Sequence, residues 1–179
     1  MDVEEIYKPY IYSIKYDGQE DNEFDRLFDA WNNMTGLVEF MQTNQKYLDN
    51  PIWGESYTPE KAARKVRDEA VELDDLLFNL CKNADEGKQP DFDSHFKFLD
   101  GKYQVYEYVP MKSYGPGTPS FLRMYAIKLK SNLYVITGGG IKLADSIQKS
   151  PDLKNHVLQN IDKVRTWLIK NGIMDEQDF

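Results

Sequence analysis

The sequence predicts an α+β fold in which a small antiparallel sheet packs with helices from both ends of the chain. Apolar residues recur at helical spacing in the first half of the chain and again near its C-terminus. Three β-prone segments lie close together between these regions, at 104–108, 122–129 and 133–137. A chain of 179 residues has the length of one domain that buries a substantial core.

The N-terminal part of this single domain, about residues 1–57, is predicted to be acidic and largely helical. It begins with a tyrosine-rich strand over Tyr10–Tyr16, after which Asp17-Gly18 turns the chain. A helix from Asn22 to about Met34 carries apolar residues at i, i+3, i+4 and i+7, namely Phe24, Leu27, Phe28 and Trp31. A weaker apolar pattern predicts a second helix over 37–48.

The longest predicted helix begins at Thr58 and Pro59 and ends near Asp85–Gly87. Threonine is a good N-cap, and proline suits the first helical position. The apolar residues of this helix form one stripe: Ala62, Ala63, Val66, Ala70, Leu73, Leu76, Leu77 and Leu80. After the three strands, a final helix is predicted from about Pro151 to Lys170, where Asn171-Gly172 stops it.

Charge is distributed unevenly along a chain whose formal net charge is −8. Residues 1–111 hold 12 Lys and Arg against 24 Asp and Glu, whereas residues 112–172 hold 10 against 3. This asymmetry favours a local cationic surface for a polyanion or an acidic partner. The alternative is a chance difference in charge between helices and hairpins.

Several features predict a cytoplasmic protein with no membrane partner. The opening residues, MDVEEIYKPY, lack the positive and apolar regions of a secretory signal, and no apolar run approaches the roughly 18 residues of a membrane helix. Cys81 is the single cysteine, which excludes an internal disulfide and agrees with a reducing compartment. His95 and His156 lack metal-ligand spacing, so we predict no metal site.

Arg123, Tyr125 and Lys142 are the residues with the clearest chemical potential. Arg123 and Tyr125 lie two apart on a predicted strand, so both project from one face, and Lys142 follows where the sheet ends. A guanidinium and an ammonium together can bind a phosphate and stabilise developing charge, and a phenol can stack on a base or move a proton. An arginine on a solvated strand face with no function is the alternative interpretation.

The glycine run Gly138–Gly140 does not match a phosphate-binding P-loop. No Lys-Ser/Thr pair follows the last glycine directly, and no helix begins there. We expect the run to end a strand where a positive φ or a close backbone approach is required.

An acidic group in the longest helix supports a competing hypothesis. Glu69 and Glu72 are three residues apart, as in the magnesium sites of all-helical nucleotide pyrophosphohydrolases. Those sites need a second acidic pair on a facing helix, and the sequence contains no convincing one. Asp68, Glu72 and Asp75 lie opposite the leucine stripe, where solvated charges belong.

Three short segments carry a recognisable pattern: Phe98–Glu107 (FLDGKYQVYE), Arg123–Ile127 (RMYAI) and Leu133–Lys142 (LYVITGGGIK). They resemble the L-x-x-G-L-x-E-L-R, Y-R-V-L-Y and I-V-L-L-H-G-F-x-K-K segments of RelE/HigB-type toxins of bacterial toxin–antitoxin pairs. The resemblance covers about residues 60–170. The helices predicted before and after the sheet lie where this family places helices.

The resemblance implies a compact α+β toxin that cleaves RNA, commonly mRNA on the ribosome, and that a DNA-binding helix-turn-helix antitoxin silences. In this chemistry a 2′-hydroxyl attacks the neighbouring phosphate without a metal. The protein must therefore supply a proton acceptor, cationic stabilisation and a leaving-group acid. We accordingly expect neither a metal nor another cofactor.

The family's site residues can be carried over by position. Arg123 would hold the scissile phosphate, Lys142 matches the first lysine of the family's pair, and Tyr125 would stack on a base or assist proton transfer. Glu107 is the strand carboxylate that would orient Arg123. Three lysines are further predicted RNA contacts: Lys128, Lys130 and Lys149.

Departures from the pattern leave a second function open. Tyr108 replaces an arginine that often follows the glutamate, Leu143 replaces the second lysine, and Gly140-Ile141 replaces a phenylalanine. Each lost cation would weaken phosphate stabilisation by about one to a few kcal/mol. The alternative is a catalytically silent protein that keeps the sheet and binds a protein partner through it.

Overall fold

A computed structural model describes residues 1–88, 92–99 and 107–179 of the chain. Six strands form one sheet: β1 (Asp2–Tyr7), β2 (Ile11–Lys15), β3 (Phe96–Phe98), β4 (Val109–Ser113), β5 (Leu122–Lys128) and β6 (Tyr134–Ile141). Their order across the sheet is β1-β2-β6-β5-β4-β3.

The predicted α+β class is confirmed, but the sheet is mixed and the prediction of an antiparallel sheet is wrong. β2 pairs with β6 in parallel, with Ile11 opposite Tyr134, whereas the other neighbouring strands pair antiparallel. A parallel pair needs a long crossover connection, which the helices between β2 and the later strands provide. The pairing was missed because its two strands are more than a hundred residues apart.

The structure contains five α-helices in its described parts: α1 (Glu23–Asn32), α2 (Met34–Thr43), α3 (Pro59–Asp85), α4 (Phe92–His95) and α5 (Val157–Asn171). The predicted cap of α3 forms, since Thr58 Oγ1 accepts from Lys61 N at 3.2 Å. Asn22 caps α1 in the same way, with Oδ1 accepting from Asp25 N at 3.1 Å. Gly172 ends α5 with a φ of +68°. No described helix is long and apolar enough to cross a membrane.

Several predicted boundaries are wrong. Residues 151–156 form turns, so the last helix begins six residues later than predicted. Within the predicted strand 104–108, residues 104–106 lie outside the described residues, and Glu107 and Tyr108 form a bend. The strand that precedes β5 is instead β4, which the sequence hid because Pro110 lowers its strand propensity.

Each face of the sheet covers a separate apolar cluster. Leu122, Met124 and Ala126 of β5 pack with residues of α1, α2 and α3. Tyr125 and Ile127, which alternate with them, pack with residues of α5 on the opposite face. The alternation therefore directs Arg123 toward the α5 side of the sheet and Lys128 toward the other side.

The three glycines lie inside β6 and do not end it. A Cβ on Gly139 would collide with the carbonyl oxygen of Arg123 and approach Leu27 Cδ1 to 3.0 Å. A Cβ on Gly140 would collide with the carboxylate of Asp152, which accepts from Ile141 N at 2.7 Å. Close approach is therefore the reason for glycine at both positions.

Candidate functional site: a cationic cavity beside β5

A cavity of about 190 Å³ opens where β4, β5 and the segment after β6 meet. Its cationic and aromatic lining comes from Lys112, Tyr114, Arg123, Tyr125 and Lys142. The rest of its wall is formed by Leu99 and by the segment 145–148, which begins with the carboxylate Asp145. The structure thus brings Arg123, Tyr125 and Lys142 together and adds Lys112 and Tyr114.

Strand pairing explains why these residues share one face. Lys112 lies directly opposite Tyr125 in the β4–β5 ladder, and Arg123 is two residues before Tyr125 on the same strand. Residues two apart on a strand, and residues opposite each other on neighbouring strands, project from the same side of a sheet. Lys112 and Tyr114 were missed because β4 itself was not recognised, so their spacing had no strand on which to be interpreted.

Arg123 is held by backbone carbonyls and by an aromatic ring. Its side chain is 8% exposed, and Nη1 donates to Ser120 O at 2.9 Å and to Leu122 O at 2.5 Å. The guanidinium carbon lies 4.6 Å from the centroid of the Tyr114 ring. No carboxylate of the described chain forms an ion pair with it, so its positive charge is available to an anion.

Lys142 and Lys112 bring further positive charge to the cavity. Burial lowers the pKa of Lys142, and the nearby charges of Arg123 and Lys112 lower it further, against an opposing effect of Asp145. Lys112 Nζ donates to Leu99 O at 3.2 Å and lies 5.5 Å from the Tyr114 centroid. An anion in the cavity would relieve the repulsion among the three cations.

The two tyrosines of the cavity differ in accessibility. Tyr125 is 1% exposed and packs in the α5-side cluster, and burial raises the pKa of its phenol above the usual value. Its ring therefore has no free face for a nucleobase, and its phenol holds its proton tightly. Tyr114 is partly exposed beside Arg123 and is better placed for the role that the resemblance gave to Tyr125.

The remaining predicted site residues lie in ion pairs. Glu107 pairs with Lys130 at 3.0 Å and is not among the cavity residues, so it does not orient Arg123. Lys128 pairs with Asp93 at 2.7 Å, and Lys149 pairs with Asp145 at 3.2 Å. Pairs on an open surface are worth about 0–1 kcal/mol, so a phosphate can compete for these lysines.

In the structure, the carboxylate of Glu69, a ligand in the competing magnesium hypothesis, is already bound by protein donors. It is 7% exposed and accepts from Ser120 Oγ, Phe121 N and Lys65 Nζ. Glu72 is exposed, as expected for a solvated face. Over residues 1–88, 92–99 and 107–179, no group of three or more His, Cys, Asp or Glu could hold a metal ion.

Comparisons with protein-family models, with curated proteins and with solved structures found no match to this chain. Any function must therefore be inferred from the chemistry of the cavity and from the resemblance of the short segments. Among the described residues, Lys112, Arg123 and Lys142 converge on this cavity, whose wall also carries the carboxylate of Asp145, the ion-pair partner of Lys149.

Proposed function

We propose that the protein is a metal-independent endoribonuclease of the RelE/HigB toxin type, acting on mRNA and silenced by a helix-turn-helix antitoxin. The observation that carries this proposal is the convergence of Lys112, Arg123 and Lys142 on one cavity. Two ammonium groups and a guanidinium match the charge of a phosphodiester and of the more negative species formed during its cleavage.

Arg123 is the group best suited to hold the scissile phosphate. Ser120 and Leu122 carbonyls engage Nη1, and the Tyr114 ring covers the guanidinium, so the side chain is ordered before RNA arrives. A preorganised donor stabilises developing charge without reorganising during the reaction. Lys112, across the β4–β5 ladder, can bind a second phosphate oxygen.

Lys142 is the candidate proton acceptor. In its neutral form the amine would take the proton of the 2′-hydroxyl as the O2′–P bond forms and the P–O5′ bond breaks. The resulting ammonium would then stabilise the negative charge on the phosphate oxygens. The leaving 5′-oxygen would take a proton from the Tyr114 phenol or from water, leaving a 2′,3′-cyclic phosphate and a 5′-hydroxyl.

The catalytically silent interaction protein remains the second candidate. The observation that favours it is the pairing of Lys128, Lys130 and Lys149 with carboxylates, which reduces the free charge around the cavity. Such a protein would bind its partner through the sheet and would leave RNA intact.

A cleavage assay in excess EDTA tests the proposal. We expect the wild type to cut a labelled mRNA, and we expect Arg123→Ala and Lys142→Ala each to lose at least about tenfold in rate, in line with the loss of one transition-state donor. Lys154→Ala is the matched control, because it removes an exposed charge from the same basic region without touching the cavity.

The outcomes separate the two candidates. Cleavage that persists in both cavity variants would contradict the proposed mechanism. A wild type that neither binds nor cuts free RNA in EDTA, and that cuts no mRNA on ribosomes in a separate assay with Mg²⁺, while binding a protein partner would favour the silent alternative.

A further inference from the structure

A buried carboxylate fastens the segment before β5 to the long helix α3. Glu69 Oε2 accepts from Ser120 Oγ at 2.9 Å and from Phe121 N at 3.2 Å. Its other oxygen pairs with Lys65 Nζ at 2.8 Å, one helical turn earlier. A buried carboxylate with donors on both oxygens fixes the groups that it contacts.

Ser120, which Glu69 binds, also accepts a hydrogen bond from Arg123. While the hydroxyl of Ser120 donates to Glu69 and accepts from Leu122 N at 3.0 Å, its carbonyl accepts from Arg123 Nη1 at 2.9 Å. Gly115 folds back against the same serine with a φ of +74°, where a Cβ would collide with Ser120 Oγ. Contacts of Ser120 with Glu69 on one side and with Gly115 on the other therefore fix the direction of the Ser120 carbonyl.

We propose that Glu69 is a positioning residue for Arg123, acting through Ser120 to aim the guanidinium into the cationic cavity. Glu69 is not among the residues that line that cavity, so it does not touch the substrate. It lies instead on a separate cleft between α3 and the segment 116–119. The functional consequence rests on the proposed function, whereas the effect on the geometry of Arg123 does not.

The test compares Glu69→Gln with Glu72→Gln. Glutamine keeps the size of the side chain but removes the charge, and Glu72 is an exposed glutamate three residues along the same helix. The first readout is the Arg123 Nε–H resonance in ¹⁵N-labelled protein, which Arg123→Lys assigns among the five arginines. We expect the Tyr114 ring, 4.6 Å from the guanidinium carbon, to shift this resonance. The second readout is the rate of RNA cleavage at saturating substrate.

We expect Glu69→Gln to move the Arg123 resonance toward that of a free arginine and to lower kcat about tenfold with a smaller change in KM, because misaligned groups lose rate steeply. Glu72→Gln should change neither. A Glu69→Gln protein that is less stable yet keeps the Arg123 resonance and kcat would overturn the inference, because Glu69 would then serve the fold alone.

Two further experiments test the positioning role of Glu69 if the first variant does not fold or if the wild type does not cleave RNA. If Glu69→Gln does not fold, Ser120→Ala takes its place, since it removes the hydroxyl link but keeps the carbonyl, and an unmoved Arg123 resonance in that variant would overturn the inference. If the wild type does not cleave RNA, the proposed function fails, while the Arg123 resonance still tests the positioning role of Glu69.

Discussion

At the scale of single residues, the proposed cleavage depends on the protonation state of Lys142. Burial and two neighbouring cations lower the pKa of this amine, so its neutral form is present at a lower pH than for an ordinary lysine. In the proposed mechanism the neutral amine accepts the 2′-hydroxyl proton, so the cleavage rate should rise with pH and level off above the lowered pKa.

Lys112→Met should shift this pH dependence. Removing one of the cations that repel the Lys142 ammonium raises the pKa of Lys142, so the rising limb of the pH–rate profile should move to higher pH. The measurement is the single-turnover cleavage rate from about pH 6 to pH 10 for both proteins. A limb that stays in place or moves to lower pH would rule out Lys142 as the acceptor.

The two tyrosines should differ in importance. Tyr114→Leu removes the ring beside the Arg123 guanidinium and should lower kcat/KM about tenfold, since a desolvated cation–π contact is worth about 1–2 kcal/mol. Tyr114→Phe keeps that ring and should retain more of the activity. Tyr125→Phe should change kcat/KM less than about twofold, because the phenol is buried and keeps its proton. Equal losses in Tyr114→Leu and Tyr125→Phe would refute this distinction.

At the scale of elements, β6 packs closely against the backbone of β5. Gly139 lies opposite Met124, and its missing side chain lets the Arg123 carbonyl and Leu27 approach the strand. Gly139→Ala should therefore lower the free energy of unfolding by about 1–3 kcal/mol, the usual cost of overpacking.

Chemical denaturation measures this cost against a matched control. Gly117→Ala adds the same methyl group at an exposed position with no atom within 4 Å, so its free energy of unfolding should change by less than about 0.5 kcal/mol. Indistinguishable midpoints for the two variants would contradict the tight packing around β6.

Local signals predicted the elements that depend on local interactions. The apolar stripes indicated α1 and α3, the cap Thr58 indicated the start of α3, and the β-prone run after Phe121 indicated β5. β4 was hidden by Pro110, and the parallel β2–β6 pair depends on a contact between distant segments.

The cavity residues were likewise predicted where neighbouring positions in the sequence decide their placement, and missed where contacts between distant segments decide it. The spacing of Arg123 and Tyr125 put them on one strand face, and the structure brings Lys142 beside them. Lys112 and Tyr114 could not be placed without β4. The burial of Glu69 was equally inaccessible, because its partner Ser120 is 51 residues away in the chain.

At the scale of the whole molecule, a small cationic site lies in a protein of net charge −8. The acidic N-terminal two thirds should repel RNA, so under the proposed function binding should depend on the few cations of the cavity. Three phosphate contacts predict a slope of about −2 for the logarithm of single-strand affinity against the logarithm of salt concentration.

Variants of the cavity should change this slope. Arg123→Ala and Lys142→Ala should each make it shallower by about 0.7, and Lys154→Ala should leave it unchanged. Fluorescence anisotropy with a short labelled RNA between about 50 and 300 mM salt measures it. A Lys154→Ala slope that falls as much as the others would indicate diffuse binding over the basic region.

Binding of a phosphodiester between Lys112, Arg123 and Lys142 can be observed directly. The wild type would be titrated with a short single-stranded deoxyoligonucleotide, which has no 2′-hydroxyl and therefore cannot be cleaved by the proposed mechanism. The Arg123 Nε–H and Lys142 side-chain resonances would be recorded during the titration. We predict that both resonances shift together and saturate with the same dissociation constant, and that added salt weakens the binding. Shifts confined to residues outside the cavity, with Arg123 and Lys142 unchanged at saturation, would contradict the account.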